Sequence, residues 1–207
     1  MRQLIILGGI VIGLLASDTV SAQYRDPSSF ELSAGAGWGS LWDDETLLGR
    51  GVPVAAGIGW LLGQRVRFAA DVDWLAHSRD AGYLAADGDL IRVLGRATYL
   101  FGAPGSRVRP LAGAGLGVMR STGKLVMRSV LPGQNGFPTP GPSVESPWES
   151  TAGVFELHAG VRIAMHRRAA IRPEFRWGSS IGSSTGTGIE PPFLHMQAIV
   201  NVDVFTR

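Results

Sequence analysis

The stretch RVRFAADVDW, residues 65–74, decides how the rest of the chain is read. Val66, Phe68, Ala70, Val72 and Trp74 share one parity, and Arg65, Arg67, Ala69, Asp71 and Asp73 share the other. Side chains alternate across a β-strand with period two, so this is a strand with one greasy and one charged face. In a soluble sheet the greasy face would meet a core and the charges would meet water. The other segments decide between that arrangement and its inverse.

Working outward, seven further segments alternate in the same way. FELSAGAGWGSLW (30–42) sets Phe30, Leu32, Ala34, Ala36, Trp38 and Trp42 against Glu31, Ser33, Gly35, Gly37 and Gly39. VPVAAGIGWLL (52–62) sets Val52, Val54, Ala56, Ile58, Trp60 and Leu62 against Gly57 and Gly59. LIRVLGRATYLF (90–101) opposes Ile91, Val93, Ala97, Tyr99 and Phe101 to Arg92, Arg96 and Thr98, with Leu94 and Leu100 blurring the polar side. VRPLAGAGLGVM (108–119) opposes Ala112, Ala114, Leu116 and Val118 to Arg109, Gly113, Gly115 and Gly117. TAGVFELHAGVRIAM (151–165) opposes Phe155, Leu157, Ala159, Val161 and Ile163 to Glu156, His158 and Arg162. AIRPEFRWG (170–178) opposes Ile171, Pro173, Phe175 and Trp177 to Arg172, Glu174 and Arg176. FLHMQAIVNVDVF (193–205) closes the series, with Leu194, Met196, Ala198, Val200, Val202 and Val204 against His195, Gln197, Asn201 and Asp203. Each of the eight is about as long as a tilted strand needs to cross a bilayer.

The links between them alternate in length. Gly63-Gln64, GAPGS (102–106) and HRRA (166–169) are brief, whereas DDETLLGRG (43–51), 79–89, 121–150 and 179–192 are longer. Short turns therefore fall on one rim and long loops on the other, with both termini on the short-turn rim. The N-terminus adds an address: MRQLIILGGIVIGLLASDTVSAQ has Arg2, an apolar run from Leu4 to Ala16, and small residues at Ser21 and Ala22. This predicts a secretory signal peptide over 1–22 and a mature domain over 23–207. A membrane anchor is the competing reading, disfavoured because the run is short for a spanning helix.

Composition bounds the rest. The 207 residues suit one domain, and 45% hydrophobic residues are too many for a disordered chain. There is no cysteine, hence no disulfide framework or thiol chemistry. The formal charge is +2, with no basic stretch interleaved with aromatics, so nucleic acid is not an expected partner. Of the basic residues only Lys124 is not arginine.

Together the leader, eight alternating strands, alternating links and an apolar last strand resemble the small outer-membrane β-barrels of the OmpA and OmpX type. The resemblance covers essentially all of 23–207. It implies an all-β, eight-stranded, antiparallel up-and-down transmembrane barrel with short periplasmic turns and long extracellular loops. It further implies export to the periplasm, the outer membrane of a Gram-negative bacterium, contact with outer-membrane lipid and lipopolysaccharide, recognition by the barrel-insertion machinery, and a monomer. One departure is visible: Phe205 falls on the polar parity and is followed by Thr206 and Arg207, and a bulge near Val204 would return it to the lipid-facing one.

Magnitude then assigns the faces. An arginine facing lipid at mid-membrane costs about 2–4 kcal/mol, which Arg67, Arg92, Arg96, Arg162, Arg172 and Arg176 cannot all sustain. Turned inward they meet Glu31, Asp71, Asp73, Glu156, Glu174 and Asp203 on the same parity. The expected lumen network is these twelve residues with Arg109 and His158. Eight strands leave room only for side chains, so Gly35, Gly37, Gly57, Gly59, Gly113, Gly115 and Gly117 are read as space for them. GAGWG and GAGLG lack the following helix that a phosphate cradle needs. Two aromatic girdles are expected, Phe30, Trp60, Phe68, Tyr99 and Phe101 at the periplasmic interface and Trp42, Trp74, Phe155 and Trp177 at the outer one.

For function, the first reading is a rigid barrel with a charged, filled lumen and a structural, adhesive or surface-interaction role, supported by the long stretch 121–150, where LVMRSVL (125–131) can extend a strand above the membrane before the Pro-rich PGQNGFPTPGPSVESPW (132–148). Arg79, Arg120, Lys124 and Arg128 are candidates for pairing with lipopolysaccharide phosphates. A second reading is an outer-leaflet lipid-modifying enzyme, for which His77 near Ser78 and Asp80, or His195 near the serines of 179–185, would supply base and nucleophile. A third is a soluble periplasmic barrel with a small apolar ligand inside, which needs an apolar lumen. No catalytic, cofactor or metal site is expected; His158 and His195 are isolated histidines without ligand spacing.

Overall fold

The computed structural model of the chain describes residues 28–43, 46–132, 138–187 and 193–206. The predicted signal peptide lies outside them. Eight strands follow one another: β1 (Ser28–Asp43), β2 (Thr46–Leu62), β3 (Val66–Asp80), β4 (Leu84–Leu100), β5 (Val108–Pro132), β6 (Pro138–His166), β7 (Ala169–Thr187) and β8 (Phe193–Thr206). Each pairs antiparallel with its neighbours in sequence, and β8 returns to β1 from Phe30↔Thr206 to Asp43↔Phe193, closing a barrel. Closure leaves no free sheet edge through the part of the barrel that all eight strands share.

The faces sort inside-out. Arg67, Arg172 and Arg176 are each 1% exposed, whereas Phe68, Phe175 and Trp177 are 47%, 52% and 37% exposed. The same alternation runs along β3, where Arg67, Ala69, Asp71, Asp73, Leu75 and His77 are buried and Phe68, Ala70, Val72, Trp74 and Ala76 are exposed. On the outside, an apolar belt of Leu32, Ile58, Val72, Val93, Leu116, Leu157 and Val200 circles the wall. An exposed apolar surface of this extent is not that of a soluble monomer.

Two local departures from strict alternation have identifiable causes. Between Leu41↔Gly49 and Trp42↔Leu47 the β1–β2 register shifts, leaving Leu48 as an extra residue of β2 that is buried with Leu41. Ser40, on the outward parity, is buried because the Trp42 indole lies against it and donates to its Oγ at 3.1 Å. The C-terminal strand, in contrast, keeps its register with β1 through Thr206, so there is no bulge near Val204. Phe205 stays inward and buried, with the Arg162 guanidinium 4.6 Å from its ring centroid. Stacking on a buried arginine gives the terminal aromatic an inward position that costs nothing in register.

The long links of the sequence are largely strand. β3 runs to Asp80 and β4 restarts at Leu84, while β5 and β6 pair continuously past the belt to Pro132↔Pro138. The stretch 121–150 is thus a β-hairpin whose described arms leave only 133–137 between them. β4 pairs with β5 as far as Met127 and β7 with β6 as far as Glu149; Arg128 still donates from its amide to the Tyr83 carbonyl at 2.8 Å, and beyond it β5 pairs with β6 alone among the described residues. Pro138, Pro140, Pro142 and Pro147 occupy that part of β6. Proline is tolerated on edges and at bulges, and a register shift falls between Arg128 and Val130 opposite this segment.

Candidate functional site

Inside the barrel, strand parity brings together side chains from all parts of the sequence. Arg96 of β4 donates from Nη1 to Asp71 at 2.8 Å, from Nη2 to Asp73 at 2.8 Å, and from Nε to Glu156 at 2.8 Å. Arg92, two inward positions along with Leu94 between, donates to Asp73 at 2.7 Å, Glu156 at 2.9 Å and Gln197 at 2.6 Å, and contacts His195. Arg176 of β7 reaches Asp73 at 3.2 Å and Glu174 at 2.9 Å, and Arg172 holds Asp203 at 2.9 Å and also pairs with Glu174. Arg67 pairs with Glu31, whose second oxygen lies 3.6 Å from Arg162. His158 shares a 2.9 Å hydrogen bond with Thr98. Six arginines and six carboxylates thus face one another inside, all buried. The pairing matters because one unpartnered charge in such surroundings would cost several kcal/mol.

Arg109 is different. It is buried near the short-turn rim, where its guanidinium donates to the carbonyls of Gln64 at 2.6 Å, Leu100 at 2.9 Å and Phe101 at 3.3 Å. The sequence places it in the charge network; in the structure these three hydrogen bonds go to backbone carbonyls of two neighbouring turns.

The glycines divide. A Cβ at Gly57 would strike Asp71, and one at Gly115 would lie 3.0 Å from Arg96 Cγ, so these leave space for lumen side chains. Gly35 and Gly113 do the same for Asn201 and His158, and Gly59 for Arg67. Gly37 and Gly117 instead abut the backbones of Ala198 and Val93, a close strand approach rather than room for an arginine.

Two apolar layers flank the charges, and periodicity alone did not single them out. Leu41, Leu48, Leu75, Leu90, Leu94, Met119, Ala152, Val154 and Phe193 form one cluster toward the long-loop end. Leu61, Leu100 and Leu111 form another toward the short turns. Leu94 and Leu100, which blur the polar parity of their segment, belong to these layers. Beyond the larger cluster Trp148 stacks on His77 at 6.2 Å and donates from Nε1 to Ser121 at 3.0 Å.

Outward aromatics gather beside the short turns and again farther up the wall, with Phe175 exposed between them. Phe30 and Trp60 meet edge-on at 5.3 Å, and Tyr99 and Phe101 at 5.0 Å, beside the short turns. Phe68 is exposed on the same border. Toward the other end, exposed Trp74 donates from Nε1 to Asp89 at 3.0 Å, and Trp177 is also exposed. Phe155 and Trp42 are half-buried, and Trp38, absent from the expected girdle, is exposed with Arg50 6.0 Å from its ring.

Of the pairs that sequence proximity proposed for catalysis, the one at His77 does not converge. His77 points inward and is buried, whereas Ser78 points outward and Asp80 accepts hydrogen bonds from the Gly82 amide at 2.9 Å and from Arg128. His195 is buried against Arg92, and Ser180 accepts from the Phe193 amide at 2.8 Å; the side chains of 182–185 lie outside the described residues. Among the described residues no group of three or more His, Asp or Glu is placed to hold a metal ion. Of the four basic residues considered for lipopolysaccharide, Arg79 donates to the Leu47 carbonyl, Arg120 pairs with Glu149 at 2.7 Å and Arg128 with Asp80 at 3.2 Å.

With this geometry the chain can be set beside known proteins. No protein-family model matches it, and no curated protein matches it in sequence. Among solved structures it is similar to neisserial surface protein A, at 18% identity and a TM-score of 0.62 over 86% of this chain and 99% of that one. It is also similar to Ail, the attachment invasion locus protein of Yersinia pestis, in a complex with the heparin analogue sucrose octasulfate, at 9% identity and a TM-score of 0.54 over 87% of this chain and 100% of the other. A major outer membrane protein from Thermus thermophilus matches at 11% identity with a TM-score of 0.54, over 87% of this chain and 100% of that one. The fold is that of the small outer-membrane β-barrels. It agrees with the OmpA and OmpX resemblance, as an eight-stranded antiparallel barrel.

Proposed function

We propose that the chain is exported and inserted as an integral outer-membrane barrel whose lumen is filled, and that its role is structural or adhesive. The observation that carries this reading is the inverted sorting of residues: paired charges within, an uninterrupted apolar belt without. A small barrel has room inside only for side chains, and here two apolar layers close on the ionic one. Water-filled conduction and an apolar ligand are both poorly served by such an interior. The projecting β5–β6 hairpin is the surface feature best placed to meet a partner, because it continues past the ends of its pairing with β4 and β7. Lipopolysaccharide at its base and recognition by the insertion machinery belong to the same proposal.

Fractionation of the producing cell with and without detergent, together with gel migration before and after boiling, tests it. The native chain is expected in outer membranes and to migrate faster unheated. A fully soluble periplasmic protein would contradict the reading. Single-channel recording tests the filled lumen, and a stable ohmic conductance would overturn that part. Unchanged lipid A mass on overexpression is the outcome expected of a barrel without lipid-modifying activity.

A further inference from the structure

The two rims carry different charge. Exposed on the short-turn rim are Arg65 in the β2–β3 turn, Arg107 at the entry to β5, and His166, Arg167 and Arg168 at the β6–β7 turn. Among the described residues no aspartate or glutamate is exposed there; the nearest, Glu31 and Asp203, are buried and paired with Arg67 and Arg172. At the other end the exposed cations Arg50, Arg120, Lys124 and Arg128 stand among exposed Asp80, Asp87, Asp89, Glu145 and Glu149. The arginine-rich composition alone does not produce this difference, since the same residue type is charge-balanced on one rim and unbalanced on the other.

Position gives the imbalance a meaning. Arg107 directly precedes outward Val108, and Arg65 lies three residues from both Leu62 and Phe68, which are outward and apolar. The guanidinium of Arg65 reaches the Tyr99 hydroxyl at 3.4 Å, at the aromatic border of the belt. Arg167 and Arg168 occupy a two-residue turn that follows half-buried Met165 and exposed His166. All four arginines therefore sit at the edge of the apolar wall, beside the short turns. None of the four forms an ion pair with a described carboxylate. Adjacent unpaired cations repel one another, and a layer of anions is what relieves this. Arginine matches phosphate oxygens in a two-pronged hydrogen bond.

We propose that the short-turn rim is a binding collar for the phosphate headgroups of anionic phospholipids, formed by Arg65, Arg107, Arg167 and Arg168. This rests on the outer-membrane reading above, and the leaflet concerned is the one the short turns face. Phospholipid is favoured over an acidic protein because the cations ring the barrel at one depth instead of clustering on one side.

The test uses the full chain reconstituted into vesicles of phosphatidylcholine alone or of equal parts phosphatidylcholine and phosphatidylglycerol. Electron spin resonance of spin-labelled lipids reads which headgroup is held at the protein boundary. A preference for phosphatidylglycerol on the order of fivefold is expected at low salt, falling toward unity as salt is raised. It should be lost in the combined variant Arg65→Gln, Arg107→Gln, Arg167→Gln, Arg168→Gln. It should persist in the opposite-rim variant Arg50→Gln, Arg120→Gln, Lys124→Gln, Arg128→Gln. Insertion without headgroup preference, a salt-insensitive preference, or one that survives in the short-turn variant overturns the collar while leaving the barrel reading intact. Should the short-turn variant fail to insert, the salt response of the native chain decides. A native chain that inserts into neither vesicle removes the membrane reading and the collar with it.

Discussion

Arg96 touches three carboxylates at once, and its removal is the sharpest test of the interior at the scale of a residue. Arg96→Met keeps most of the side-chain volume but leaves Asp71, Asp73 and Glu156 facing one another with less counter-charge. The expected cost is about 3–5 kcal/mol, the range for breaking a buried pair from one side. Urea unfolding of the inserted protein, followed by gel migration, measures it. Ala97→Val, its outward neighbour on β4, is expected to change stability by less than about 0.5 kcal/mol. The inward identity of Arg96 was legible because alternation names a side. It does not name a depth, which is why the leucine layers around the charges were not foreseen as layers. Leu75, Leu90 and Leu94 share the inward parity with arginines and aspartates, and only the closed barrel shows that they meet in one cluster. His77 and Trp148, which stack across β3 and β6, are far apart in sequence and carry no shared pattern that would have joined them.

The strands extend beyond the alternating segments that announced them, most of all in β5 and β6. Above the belt Leu125, Val126, Met127, Leu131 and Val144 are scattered among polar residues and prolines, so the two-residue hydrophobic rhythm stops while the backbone ladder continues to Pro132↔Pro138. Sequence reading that depends on that rhythm can extend β5 through LVMRSVL but does not find its partner arm in the Pro-rich half. Excising 124–147 and joining Gly123 to Trp148, which already face each other, through an Asn-Gly turn should leave a barrel with heat-modifiable migration. Loss of folding would show that the hairpin is part of the folding unit and not a mounted extension. A second contact of this extension responds to pH. The Gly82 amide and Arg128 hold the Asp80 carboxyl below the ordinary carboxylate value. A depressed folded-state value means the contact is in place above the ordinary value and is lost as pH falls through the lowered one. Amide exchange at Gly82 should therefore quicken in that acid window, relative to the intrinsic rate at each pH. In Asp80→Asn the same window should bring no such change.

For the molecule as a whole, the charge plan is economical: balanced and paired inside, mixed at the long-strand rim, and uniformly basic among the exposed described residues of the short-turn rim. The closed order β1 to β8 was readable from the even count of alternating segments and from links of alternating length, because an up-and-down barrel needs nothing more. Which partner the long-strand rim would meet was not readable, since recognition lives in exposed side chains that obey no periodicity. The account stands or falls on which parity faces lipid. The absence of cysteine allows the most direct measurement, a series of single cysteines along β3 at Phe68, Ala69, Ala70, Val72, Trp74 and Leu75, spin-labelled and reconstituted in vesicles. Accessibility to oxygen dissolved in the bilayer is predicted to be high at Phe68, Ala70, Val72 and Trp74 and low at Ala69 and Leu75. High accessibility at Ala69 and Leu75 with low values at the other four, or no alternation at all, would contradict it.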